Sequence, residues 1–553
     1  MAGKEKSLRE SLCYEPRELK FGTSGRRGRV VDLAQLEVFL NALAELEYLQ
    51  SLPRSQGGIA RGEEFFLGYD LRPSSAAFVP EMDGRGEIAQ AVAAAIESAG
   101  MRPVNLGCTS TPALACYALR RGRGCMMVTG SHIPFDRNGY KTYSSLGELL
   151  KEQEAPIEAQ SAQVRERLYR QPAAESLFDA RGFLKLRRPL PPEQDGARAE
   201  YVARYTGFFA GAPLAGKRVL LYEHSAAGRE ALALILEALG AEVVRAGASD
   251  SFVPIDTENI DAEQLAVIQR LADAAAKDGP LHAVVSTDGD GDRPLLLGLD
   301  GEGRARFFGG DLVGMVAAQF LKADAVVVPV SSNDGIDRCE LAAVLEPKTR
   351  IGSPYVIAGM EAALRRGKRA VCGWEANGGF LTGSEFIRNG ASLPPLPTRD
   401  SALPLLAALS ACAERRLSLI DLFAELPRRY SRAALLRQFP RAAAQKMLAR
   451  FSPRAVGQAE FEEKRSRLAG FFSAGQGFGT IAGLDITDGL RIRFDNGDVA
   501  HIRPSGNADE LRIYAVADTQ ARADAIAAMG VAEPGGILRS MERAMDSSLN
   551  GAG

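Results

Sequence analysis

A chain of 553 residues is longer than one hydrophobic core organises, which predicts roughly three to five domains. Its 67 basic and 69 acidic side chains leave a formal net charge of −2, and 46% of its residues are hydrophobic. That balance describes a soluble globular protein and excludes the basic excess expected where nucleic acid or a membrane is the partner.

The N-terminal MAGKEKSLRESLCYEPRELK has no apolar signal core and no apolar run of about 18 residues follows, so a cytoplasmic protein is expected. Cys13, Cys108, Cys116, Cys125, Cys339, Cys372 and Cys412 include no C-x-x-C pair, which argues against a disulfide framework and a zinc site. His132, His224, His282 and His501 are dispersed, so any metal should be held by oxygen.

The dominant rhythm is a short apolar run, a Gly/Ser/Asp turn and an amphipathic helix, the pattern of α/β units. Near the start, FGTSGRRGRV (21–30) is rich in donors, with Arg26 and Arg27 available to an anion. VNLG (104–107) reads as a strand before the helical TSTPALACYALRR, and GCMMV (124–128) as a strand running into TGSHIPFDRNGYK (129–141). Ser131, between Gly130 and His132 on a tight turn at a strand end, is exposed for nucleophilic attack or for carrying a phosphate. The competing reading is an ordinary Ser/Gly turn. Lys141 lies ten positions on and can fold back as acid, base or phosphate clamp.

After RRPLPPEQDGA (187–197), which reads as a linker, KRVLLY is a buried strand, SAAGREALALILEALG a helix closed by Gly240, and AEVVRAG the next strand. LHAVVS (281–286) then leads into STDGDGDRP (286–294), the most specific local signal. Asp288, Asp290 and Asp292 alternate with glycines, so three carboxylates can turn toward one hard cation, and Arg293 follows as an anion contact. An EF-hand fails here: position twelve from Asp288 is Leu299, position six is Arg293, and a strand precedes the loop. Three close carboxylates repel without a cation, and Mg²⁺ is the natural occupant.

AVVVPV (325–330) is another strand before a polar turn, and CGWEANGGF (372–380) sets Glu375 and Asn377 in a Gly-rich turn suited to adjacent sugar hydroxyls, or to a capped turn. ELPRRYSR (425–432) separates a distinct C-terminal part, where DNG joins alternating strands in TIAGLDITDGLRIRFDNGDVAHIRPSG, so an α+β unit with an antiparallel sheet is expected. In HIRPSGNADELRIY (501–514), Arg503, Ser505, Gly506 and Asn507, with Arg512 on the next strand, offer the donors a phosphate dianion needs. Pro504 and Gly506 also read as turn formers. With a new strand and helix set after Asp292, the boundaries give four units: 1–190, 191–305, 306–428 and 429–553. The first three read as variants of one α/β plan.

Taken together, FGTSGRRG, TGSHIPFDRNGYK, DGDGDR, WEANGG and RPSGN, in this order over nearly the whole chain, resemble the α-D-phosphohexomutase family. GYD-R (Gly68, Tyr69, Asp70, Arg72) and PTRD (397–400) add smaller matches, and the pattern is most similar to the bacterial phosphomannomutase group. The resemblance implies three related α/β domains and a C-terminal α+β domain around a central cleft. It implies that Ser131 is a phosphoserine sharing one Mg²⁺ with Asp288, Asp290 and Asp292, beside Arg293. Arg27, His132 and Lys141 fall at the catalytic centre, Lys141 as general acid/base; Glu375 and Asn377 match the sugar loop, and Arg503, Ser505, Gly506 and Asn507 the loop holding the phosphate not being transferred.

The implied activity is a phosphomutase relaying a phosphoryl group between hexose 6-phosphate and hexose 1-phosphate through a hexose 1,6-bisphosphate, with mannose phosphate as substrate and a monomer or dimer as the assembly. The sugar loop departs from the Gly-Glu-x-Ser-Gly-His run of many relatives: Trp374 precedes Glu375, Asn377 takes the serine position and Gly379 the histidine position. Ile133 stands where many relatives carry Asn, and Asn507-Ala508-Asp509 where Thr-Glu-Pro is common. Alternatives are a phosphoglucomutase or dual glucose/mannose enzyme, a hexose-1,6-bisphosphate synthase and a non-catalytic sugar-phosphate-binding protein; a phosphoglucosamine mutase fits the sugar loop least.

Overall fold

Cys125–Val128 is apolar at every position, the pattern of a strand covered on both faces. Cys125 and Met127 pack with Phe66, Val104, Leu106 and Tyr143 on one side, and Met126 and Val128 with Phe39, Phe65, Leu67 and Ile96 on the other. The computed structural model describes residues 5–258, 260–453, 458–504 and 509–546, which form two compact units. One unit comprises 1–326 and 353–423, the other 327–352 and 424–553.

In the first unit a five-stranded sheet runs in the order Arg26–Arg29, Arg137–Tyr143, Cys125–Val128, Glu64–Tyr69, Arg102–Cys108. The last three strands are parallel, while Arg137–Tyr143 turns back antiparallel to Cys125–Val128 and pairs Lys141 with Met127. The segment 129–141, expected as one loop, is therefore a turn followed by a strand. Helices Gln35–Ser51, Ile88–Ser98 and Lys151–Arg170 contribute to one face and Thr111–Leu119 to the other.

A second sheet repeats this plan, in the order Ala305–Phe308, Pro294–Leu299, Ala283–Thr287, Arg218–His224, Glu242–Ala248. Again three strands are parallel and the next folds back antiparallel. The strand after Asp292, read as the start of a new strand and helix set, pairs within this sheet, where Pro294–Leu299 zips directly against Ala283–Thr287. A third sheet, Ala325–Val327, Val371–Trp374, Phe380–Thr382, Leu396–Asp400, carries a comparable fold-back from Val371–Trp374 to Phe380–Thr382.

The second unit holds a five-stranded antiparallel sheet, Tyr430–Arg437, Glu510–Ala517, Val499–Pro504, Leu490–Phe494, Ile481–Asp485. Its Asp495-Asn496-Gly497 hairpin puts Gly497 at φ 88°, the left-handed conformation that the sequence signal requires. Leu436, Phe439, Met447, Leu490, Ile492, Ile502, Ile513 and Ile526 form its core, so the expected α+β unit is present. All seven cysteines are free, and among the described residues no helix is long and apolar enough to cross a membrane.

Candidate active site

Three of the signature loops occupy the same topological place. Each is the turn by which a strand of its sheet passes into its antiparallel partner: Val128 to Arg137, Thr287 to Pro294, and Trp374 to Phe380. Polar residues at the carboxyl ends of such strands are where α/β sheets collect ligands.

Ser131 is 5% exposed and has φ 53°, a left-handed conformation costly for a non-glycine residue. Its N–H donates to Thr129 Oγ1 at 2.7 Å, and Thr129 in turn donates to Asp70 Oδ2 at 2.8 Å. Arg72 grips the same turn through the carbonyl of Ser131 at 3.0 Å, while stacking on Phe252 at 3.7 Å. Asp70 and Arg72 thus fix the strained turn from behind, and their only sequence signal was the GYD-R match. Ser131 Oγ donates to Asp288 Oδ2 at 2.6 Å and lies 3.3 Å from His132 Nδ1. Arg293 Nη1 is 2.9 Å from that nitrogen. A guanidinium has donors alone, so Nδ1 accepts and the imidazole is the neutral Nε2–H tautomer.

Asp288, Asp290 and Asp292 are fully buried and their ligand oxygens lie within 4.8 Å of one another. Their hydrogen bonds divide by oxygen. Lys141 Nζ donates to Asp290 Oδ2 at 2.6 Å and also to Asp292 Oδ2; Thr111 Oγ1 donates to Asp290 Oδ2 at 2.5 Å. Asp288 Oδ1 accepts the N–H groups of Asp292 and Arg293 at 3.1 and 3.3 Å. Asp290 Oδ1 and Asp292 Oδ1, both buried, accept nothing. Buried carboxylate oxygens are costly unless a donor or cation meets them, so the donor set fits a hard divalent ion.

Burial and the charges of Asp290 and Asp292 push the Asp288 carboxyl well above the usual range. Burial acts in the same sense on Asp290, but Lys141, Thr111 and Arg399 together outweigh it and hold that group below its ordinary value; for Asp292, Arg399 leads the opposition to burial and the group is likewise lowered. Two glycines make the approach possible. Gly291 has φ 72°, and a Cβ on Gly289 would stand 2.8 Å from the Ser131 carbonyl oxygen.

The Glu375 turn is capped, since Asn377 Oδ1 accepts the Gly379 N–H at 3.0 Å, and it also reaches the acidic loop. Arg399, 3% exposed, donates Nε to Asp292 Oδ2 at 3.0 Å and Nη1 to Glu375 Oε2 at 2.9 Å. Arg399 was not picked out from the sequence beyond the PTRD match, because nothing local ties a strand residue to two loops far from it in the chain. Arg27, half-buried, donates to the carbonyls of Arg26 and Tyr140 at 2.8 and 3.1 Å. Desolvation lowers its guanidinium to about 10, against the pull of Asp290 and with help from Arg399 and Arg72.

Arg503 and Arg512 belong to the second unit, where they face each other across adjacent strands; Arg503 Nε donates to Asp488 Oδ1 at 2.9 Å. Ser505, Gly506 and Asn507 lie outside the described residues.

Models of the phosphoglucomutase/phosphomannomutase family match residues 18–168 (alpha/beta/alpha domain I), 309–430 (alpha/beta/alpha domain III) and 436–533 (C-terminal domain). A phosphomannomutase of Sinorhizobium fredii is 38% identical over 515 residues, covering 93% of this chain and 98% of that protein. A phosphomannomutase of Salmonella muenchen is 37% identical over 502 residues, covering 91% and 92%. In fold, a phosphoglucomutase/phosphomannomutase family protein of Burkholderia thailandensis aligns with a TM-score of 0.62 over 98% of this chain and 99% of that one, at 18% identity. The α/β sheets and the phosphomannomutase relatives define a phosphomutase enzyme. The chain belongs to the phosphoglucomutase/phosphomannomutase family.

Proposed function

We propose that this phosphomutase interconverts mannose 6-phosphate and mannose 1-phosphate, with Ser131 carrying the phosphoryl group. One contact supports the reading above all: Ser131 Oγ donates to Asp288 Oδ2 at 2.6 Å, in the loop where Asp290 and Asp292 each keep a buried oxygen that accepts no hydrogen bond. Mannose is favoured by the 38% and 37% identical relatives named phosphomannomutase. The division at 190, 305 and 428 into four domains is part of this reading.

The free hydroxyl of a hexose monophosphate attacks phosphorylated Ser131. A P–O bond forms to the hexose oxygen, the P–Oγ bond breaks, and its electron pair stays on Oγ. The proton lost by the hydroxyl is exchanged through Lys141 and ends on Ser131 Oγ, which then donates it in the hydrogen bond to Asp288. The resulting hexose 1,6-bisphosphate turns over and returns its other phosphoryl to Ser131 by the reverse steps. When bound, Mg²⁺ held by Asp288, Asp290, Asp292 and the phosphorylated serine supplies positive charge to the transferring oxygens. Arg27, Arg293 and the Nε2–H of His132 donate to the same group, Glu375 and Asn377 engage the sugar hydroxyls, and Arg503, Ser505, Gly506, Asn507 and Arg512 hold the phosphate not being transferred.

The test is a coupled assay with mannose 1-phosphate and glucose 1-phosphate side by side, each with Mg²⁺ and a trace of hexose 1,6-bisphosphate, joined to intact mass of the resting protein. A clearly higher kcat/KM for mannose 1-phosphate, a phosphate on Ser131 and loss of both in Ser131→Ala are expected. Equal turnover of the two sugars would make it a dual enzyme, and turnover of neither would overturn the reading.

A further inference from the structure

Arg399 belongs to no signature loop, yet it touches two of them. It sits on Leu396–Asp400, the strand paired antiparallel with Phe380–Thr382, immediately beyond the Glu375 turn. Its neighbours in the chain are tied down on the other face of that strand. Thr398 Oγ1 donates to Glu148 at 2.7 Å, and Asp400 accepts from the hydroxyls of Tyr201 and Tyr205 and from the Ala402 N–H at 3.0 Å. Side chains alternate along a strand, so fixing Thr398 and Asp400 aims Arg399 the opposite way. There its guanidinium spans two carboxylates: Nε and Nη2 lie 3.0 and 2.8 Å from Asp292 Oδ2, and Nη1 lies 2.9 Å from Glu375 Oε2. All three side chains are at most 5% exposed.

The third participant is Gly379. A Cβ there would stand 2.6, 2.7 and 2.9 Å from Cδ, Cγ and Cβ of Arg399. These atoms are the root of the side chain, which cannot swing aside without taking the guanidinium with it. Any side chain at 379 therefore expels Arg399 from between the loops.

We propose that Arg399 is a positioning residue that fastens Asp292 of the acidic loop to Glu375 of the neighbouring loop, and that Gly379 is the space it needs. This rests on the phosphomutase reading of the two loops. By occupying Asp292 Oδ2, Arg399 leaves Oδ1 as the oxygen offered to a cation; by holding Oε2 of Glu375, it fixes the carboxylate proposed to meet the sugar. A planar fork can bridge two carboxylates at set angles where a lysine, a point charge, can serve one well.

The test uses the full-length protein as wild type, Arg399→Lys, Arg399→Ala, Gly379→Ala and the Gly379→Ala/Arg399→Ala double variant. Three quantities are measured: Mn²⁺ affinity by electron paramagnetic resonance without substrate, kcat and KM for mannose 1-phosphate, and melting followed through Trp374. Each single variant should weaken Mn²⁺ binding by roughly ten- to a hundredfold, the range of lost outer-shell partners, and raise KM while lowering kcat. The double variant should be only slightly worse than Arg399→Ala, because Cδ and Cγ, the atoms nearest the methyl added by Gly379→Ala, are then gone and only the Cβ at 2.9 Å remains. Wild-type Mn²⁺ affinity and KM in Arg399→Lys, or effects of Gly379→Ala and Arg399→Ala that multiply, would overturn the proposal; should Arg399→Ala not fold, an unchanged Mn²⁺ affinity in Arg399→Lys and Gly379→Ala would do the same. Those results leave the mutase reading standing if the wild type turns over. A wild type that neither binds Mn²⁺ nor turns over fells that reading first, and the proposal with it.

Discussion

Replacing Lys141 by methionine keeps most of the side chain's length and removes its charge from the centre of the acidic loop. The wild-type Nζ lies 2.6 Å from Asp290 Oδ2 and also bonds Asp292, with the three side chains 3%, 0% and 1% exposed. Asp292 retains Arg399 at 2.8 Å in the variant, whereas Asp290 retains the Thr111 hydroxyl, so Asp290 becomes the uncompensated charge. At 2.6 Å and an effective dielectric of about 20, the lost attraction is on the order of 6 kcal/mol before the lysine's own desolvation is returned. Breaking buried pairs typically costs about 3–5 kcal/mol, and the lower end is expected here.

The pH dependence gives this a sign. Lys141 holds Asp290 below its ordinary value in spite of burial, so that contribution is present above the unfolded carboxylate pKa of about 4 and is lost as pH falls through the lower folded value. In Lys141→Met only Thr111 and Arg399 still oppose burial and Asp290 takes up a proton more readily on acidification, so the variant's deficit is largest near neutrality and shrinks toward about pH 4. Urea unfolding of metal-free protein, followed by emission of Trp374, the single tryptophan and 1% exposed in the same unit, measures it. Added Mg²⁺ should recover part of the loss, since a cation then faces Asp290. A deficit under about 1 kcal/mol at neutral pH, or one that grows with acid, refutes the assignment.

Gly289→Ala should lower kcat by roughly ten- to a hundredfold with little change in melting temperature, because the new methyl would stand 2.8 Å from the Ser131 carbonyl oxygen and part the two loops; steady-state kinetics at wild-type kcat would refute it. In the second unit, burial lowers His501 from 6.5 to about 4, with Arg491 acting in the same sense, so the ring stays neutral in the fold. The stability this gives is present above the unfolded pKa and lost as pH falls through about 4, amounting to about 3 kcal/mol. His501→Gln should flatten the acid loss of melting temperature between those values, and an unchanged slope would show that His501 does not carry it.

The α/β rhythm and the acidic loop were legible because they are local. An unbroken apolar run such as Cys125–Val128 and a D-G-D-G-D spacing state their purpose within a few residues. Lys141 was legible as a candidate, but its position on a strand was not: pairing with Met127, not composition, draws 137–143 out of the turn. The roles of Asp70, Thr111 and Arg399 escaped the sequence for one reason. Each acts on a residue far away in the chain, Thr111 on Asp290 for example, and such partners exist only after the sheets have formed. Gly379 is the instructive case. Read in the sequence as a departure from the sugar-loop pattern, it has in the fold a steric purpose set by Arg399.

Charge accounting ties these groups to the chemistry. Around Ser131 stand five carboxylates, Asp70, Asp288, Asp290, Asp292 and Glu375, and five cationic side chains, Arg27, Arg72, Lys141, Arg293 and Arg399. With an unmodified serine the cluster is close to balance, and the upward push on Asp288 shows that burial leaves little tolerance for more negative charge. Phosphorylation adds about two negative charges in the same buried space. The cationic side chains already have carboxylate or carbonyl partners, so the added charge calls for one new dication, and the two oxygens without donors, Asp290 Oδ1 and Asp292 Oδ1, are the atoms left to receive it. On the proposed function, a serine strained into a left-handed turn, a carboxylate pair kept half-free and a guanidinium that locks the arrangement are parts of one device for bringing a dianion and a dication together away from water.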